Sequence, residues 1–82
     1  MSLPPFSDGA PAPPLSDLVA FCDLMIREQE VWLHDFGPDA PKHKRHGSMS
    51  IEQHESKLTG FLWLRRGYAT ALARQKEREA AE

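Results

Sequence analysis

The sequence predicts an all-α fold: an antiparallel two-helix hairpin with a proline-rich N-terminal arm, completed to a four-helix arrangement by dimerisation or by a partner. Three observations lead there. From Ser50 to about Glu79 no proline intervenes, and Ile51, Leu58, Arg65 and Leu72 recur every seven residues, with His54, Phe61, Tyr68 and Gln75 three positions later. That is the spacing of a helix-packing seam. A second apolar arc runs from Leu18 to Phe36 at helical period. Finally, 82 residues bury too little apolar surface for a comfortable margin, and a core of this size supplies roughly 3–5 kcal/mol. Cys22 is the single cysteine, so no intrachain disulfide forms, and no Cys/His set has structural zinc spacing. Association is the staple that remains.

Residues 1–15 read as an extended arm. Pro4, Pro5, Pro11, Pro13 and Pro14 fix φ repeatedly and remove backbone donors, which favours polyproline geometry. Two readings stand for the arm: a disordered tail, or a strap whose Leu3 and Phe6 dock an apolar surface once a partner is present.

Residues 16–82 form the hairpin, with helices at about 17–36 and 51–79 and a basic loop at 37–49. Ser16 reads as the N-cap of the first helix, Asp17 adds negative charge to its first turn, and Leu15 stands just outside. Leu18, Val19, Phe21, Cys22, Met25, Ile26, Trp32, Leu33 and Phe36 fill one wide arc, with Gln29 near its middle. Leu24 and Val31 form a lesser apolar strip outside it. Gly37 reads as a left-handed stop, and Pro38 forbids continuation.

The loop Gly37 to Met49 is long enough to reverse the chain. Ser50 with Gln53 three residues on reads as a capping box that starts the second helix near Ile51. The polar stretch after Arg74 marks no clear end, so fraying is expected there. Acidic residues dominate the first helix and Lys57, Arg65, Arg66, Arg74, Lys76 and Arg78 dominate the second. Opposite fields favour the pairing modestly, at about 0–1 kcal/mol per exposed pair.

Several constellations bear on function. Gln29 and Arg65 interrupt apolar seams; either they fix register at some cost in stability, or Arg65 carries its head to the seam edge and Gln29 is partly buried. On the rear of the second helix Gly60 and Gly67 stand seven apart, with Leu64 and Ala71 completing a ridge and Trp63 beside it. Glycine inside a helix costs about 1 kcal/mol relative to alanine, so two of them point to close approach by another backbone. Gly60, Trp63, Leu64, Gly67 and Ala71 are the expected protein interface, unless the arm from Leu3 to Phe6 covers them. Lys42 to His46 is a basic run that reads as a solvated loop. If it sits on phosphate, then Lys42, Lys44, Arg45 and Arg66 are the contacts, although no helix-turn-helix or RNA-binding-sheet pattern accompanies them. His34, His43, His46 and His54 lack the carboxylate-x-x-His pairs of a di-iron bundle, and no serine sits in a nucleophile elbow. No metal, cofactor, small-molecule substrate or enzymatic activity is expected.

Gly47-Ser48-Met49-Ser50-Ile51-Glu52-Gln53-His54-Glu55, set between an acidic apolar helix and a longer basic one, resembles the turn of small uncharacterised phage-encoded hairpin proteins. The likeness covers about ten residues plus the overall layout. It implies a small accessory gene product that acts by binding, and it carries no functional residue with it. The expectation is a non-enzymatic protein-binding module, a homodimer or a phage-type inhibitor or adaptor that sterically masks a site on a larger host complex. A nucleic-acid-associated regulator is the alternative. The formal net charge of −2 gives no strong basic field, and no stretch is apolar enough for a membrane span or a secretory signal, so a reduced cytoplasmic setting is expected.

Overall fold

In the computed structural model, residues 13–81 are described; the expected arm, Leu3 and Phe6 included, lies almost wholly outside them. Two helices, α1 (Leu15–Phe36) and α2 (Ser48–Ala81), pack antiparallel across a folded connector, and no strand occurs among the described residues. At about 1.5 Å per residue α1 is about 33 Å long and α2 about 51 Å. The molecule measures 57 × 35 × 14 Å with a radius of gyration of 17.1 Å, where a compact domain of this size would have about 12 Å. A thickness of 14 Å is a single layer of helices, and among the described residues no further element covers either flat side of the pair.

Both helix starts differ from the sequence-based expectation. Pro14, with φ −57° and ψ 148°, is the N-cap of α1, and its carbonyl accepts the amides of Asp17 at 3.0 Å and Leu18 at 3.1 Å. Ser16 therefore lies inside the first turn and caps nothing. Proline fixes a suitable φ by itself, so the turn closes on a backbone carbonyl and a side-chain cap is not needed. Likewise α2 starts at Ser48, where the carbonyl of Gly47 accepts the Ile51 amide at 3.1 Å. Ser50 sits within that turn and the Ser50/Gln53 capping box does not open the helix. At the other end α2 continues helical to Ala81.

Gly37 ends α1, but not in a left-handed conformation. Its φ is −89° and ψ −163°, while its N–H donates to the Leu33 carbonyl at 2.8 Å. A Cβ there would press into that carbonyl oxygen. Glycine is required by closeness of approach, not by the sign of φ.

The seam falls where the heptads put it. Ile51 is buried, and His54, Leu58, Phe61, Arg65, Tyr68, Leu72 and Gln75 are all half-buried along one side of α2. From α1, Cys22, Ile26 and Gln29 are buried against them. Phe21, at the edge, meets Phe61 edge-to-face with centroids 6.2 Å apart.

Candidate functional site

Two regions hold the residues that could act on another molecule: a polar and aromatic cluster at the loop end, and the rear face of α2.

In the cluster, the sequence places Gln29 mid-arc on α1 and His54 on the α2 seam, and the antiparallel register brings them together. His54 Nδ1 donates to Gln29 Oε1 at 2.6 Å. Gln29 is 8% exposed, and an amide oxygen buried there without a donor would cost about 1–3 kcal/mol. The His54 ring stacks on Trp32 with centroids 3.7 Å apart and 12° between planes. His46 packs on the same indole at 5.2 Å and on Phe36 at 5.1 Å. The loop folds onto this stack because its backbone is tied down. His46 N–H donates to the Phe36 carbonyl at 2.9 Å, and Lys44 and Arg45 donate to that of Pro41. The Arg45 guanidinium donates to the carbonyl of Ala40, itself 2% exposed. These contacts are internal and satisfied. They leave no buried side-chain nitrogen or oxygen without a partner, and no set of three metal-ligating side chains converges among the described residues.

Arg65, the other polar seam residue, is not buried. It reaches the seam edge and pairs with Asp23 across the hairpin, both groups more than a third exposed. Gln29 is thus buried and bonded across the hairpin to His54, while the Arg65 head sits at the seam edge.

The basic candidates are carried by two elements, Lys42, Lys44 and Arg45 by the loop and Arg66 by α2. Lys42 and Lys44 are exposed on the loop. Arg45 has its head on a backbone carbonyl. Arg66 stands nineteen positions beyond Gly47, about 28 Å along α2.

Among the described residues nothing packs on the rear face of α2. Trp63 is 72% exposed and Leu64 48%, with Met49 at 74% further along. Nothing lies within 4 Å of a Cβ built at Gly60 or Gly67. The two glycines thus adjoin no described part of this chain, while Ala71 is half-buried at the flank. A second apolar surface lies on the outer side of α1, a shallow groove of about 410 Å³ lined by Leu24, Val31, Trp32 and Phe36 with Arg27 and Asp35 at its rim. The sequence signals it through Leu24 and Val31, seven apart. What the sequence alone does not reveal is the Gln29–His54–Trp32 contact, since which residues face across a hairpin depends on the path of the loop.

No helix among the described residues is long and apolar enough to cross a membrane. Comparison with family models, with curated proteins and with solved structures finds no match to this chain.

Proposed function

We propose that this chain is a non-enzymatic, cytoplasmic protein-binding module that acts stoichiometrically. It would serve as an adaptor or inhibitor of the phage accessory type, covering a site on a larger complex by steric contact. One observation carries the reading: Trp63 stands 72% exposed on a helix face whose two glycines have no described residue above them. An indole is the side chain that most often anchors a protein interface, and a glycine ridge lets a facing helix approach closely. The single-layer architecture adds to this, because no described element packs on the flat side of the two-helix plate.

The test is capture of a partner from native lysate on the full chain, followed by reconstitution with that partner purified. Trp63→Ala should weaken the reconstituted complex by about 2 kcal/mol or more. A complex that forms equally well with the variant would remove this face from the function. If Lys44→Ala/Arg45→Ala instead abolished a salt-sensitive association with nucleic acid, the regulator reading would replace it.

A further inference from the structure

The rear face of α2 has a symmetry of its own. Exposed Ser56, Gly60 and Gly67 and half-buried Ala71 stand four, seven and four residues apart, so the spacing reads alike in both directions about the Trp63–Leu64 peptide bond. Self-complementarity is what a two-fold interface demands of the surface each copy offers. Two antiparallel α2 helices crossing at that bond would set Gly60 of one copy level with Gly67 of the other, and Ser56 level with Ala71. The backbones could then meet closely, since no described residue lies within 4 Å of a Cβ built at either glycine. Trp63 lies on one flank of this ridge and Leu64 on the other, 72% and 48% exposed. The two-fold brings each against its own counterpart, covering the largest exposed aromatic of the hairpin with another indole.

Charge selects the same arrangement. In this crossing Glu52 of one copy comes within one residue of the level of the partner copy's Arg74. At about 100° per residue both lie on the same edge of the face, and both are exposed. A parallel pairing would instead set glutamate against glutamate and arginine against arginine. Elsewhere on α2 the charges are mixed, Lys57 standing with Glu52 and Glu55 in the first part and Glu77 and Glu79 with Arg66, Arg74, Lys76 and Arg78 in the second, so the Glu52–Arg74 pair is what favours head-to-tail alignment.

We propose that the rear face of α2 is covered by a second copy of this chain, in an antiparallel two-fold pair crossing at Trp63–Leu64 with Glu52 and Arg74 paired at each end. The inference rests on the protein-binding reading above and names the first occupant of its face. The pair is a four-helix assembly in which the two α2 helices form the centre and the two α1 helices flank them. A larger target that uses this face must displace the second copy, so its apparent affinity falls as the concentration of this chain rises.

Light scattering on the full chain across a concentration series tests the pairing. The expected result is a particle of twice the 9.3 kDa chain mass. Gly67→Leu should return it to the chain mass with helical circular dichroism intact, because in the free hairpin the added side chain enters open space. Glu52→Arg should weaken self-association about tenfold, and adding Arg74→Glu should restore it. A monomer at every concentration up to about 1 mM, the weak end of specific affinity, overturns the proposal. So does a dimer indifferent to Gly67→Leu, or a charge reversal that the second substitution fails to rescue. The broader reading fails separately: it stands or falls on whether Trp63→Ala weakens the reconstituted complex, which a monomeric chain can still show.

Discussion

The two ends of the hairpin are built differently although one pair of helices makes both. Most buried residues gather at the loop end, where Ile26, Gln29, Gly37, Ala40 and Ile51 come from α1, the connector and the first turn of α2, while Cys22, in the first half of α1, is the buried residue farthest from the loop. Gln29, His54 and Trp32 interlock there, and the loop backbone is bonded down over them. Towards the start of α1 and the second half of α2 no residue is buried. Cys22 is the last buried residue in that direction, flanked by the aromatic edge of Phe21 on Phe61 and the exposed Asp23–Arg65 ion pair. The difference teaches that the fold is anchored near its turn, while the remainder of α2 is held straight by helix propensity and seam contacts and keeps surface to share.

Substitutions can break or sharpen that contrast. The largest effect is expected at Ile26, 9% exposed, where Ile26→Ala should cost about 2–4 kcal/mol. In a hairpin with roughly 3–5 kcal/mol in all most helical signal should be gone at low urea; a loss below about 1 kcal/mol would mean the loop end is not the anchor. His54→Ala should follow at about 1–3 kcal/mol, since it leaves the Gln29 oxygen buried without its donor and removes the ring stacked on Trp32. Urea midpoints with Trp32 fluorescence would read it. On the open half, Gly60→Ala should stabilise by up to about 1 kcal/mol at monomeric dilution, because it fills nothing and stiffens the helix. A destabilised variant would show that the rear face is already tightly packed. The smallest effect is expected from Asp23→Ala or Arg65→Ala. Both partners are well exposed, so a double-mutant cycle should give less than about 1 kcal/mol.

Much of the fold is legible in the sequence for a simple reason: helical periodicity depends only on local spacing. The heptad positions from Ile51 to Gln75 line the packed side of α2, and the apolar arc of α1 lies against them. Helix ends are less legible. Ser16 and Ser50 have favourable cap chemistry, but a preceding backbone carbonyl, from Pro14 and Gly47, closes each first turn earlier. Gly37 reads as a stop for the wrong reason, because a steric need and a positive φ select the same residue. The polar cluster is legible only in halves. Gln29 and His54 each stand out as polar on an apolar stripe, yet their meeting requires the loop geometry that sets the cross-helix register. The basic run at 42–46 illustrates the converse: five consecutive residues suggest one charged surface, while folding commits Arg45 to a carbonyl and His46 to an aromatic stack.

Cys22 is a free thiol with no exposed surface, seated where α1 meets α2. It therefore serves as an internal clock of separation between the helices. An alkylating reagent in solution can reach that sulfur only when the helices part, so the labelling rate of the intact chain measures how often they do so without any introduced probe. Should a binding partner brace the plate, labelling would slow in proportion to the occupancy of that partner, and the slowing would report on docking at a surface the thiol never touches.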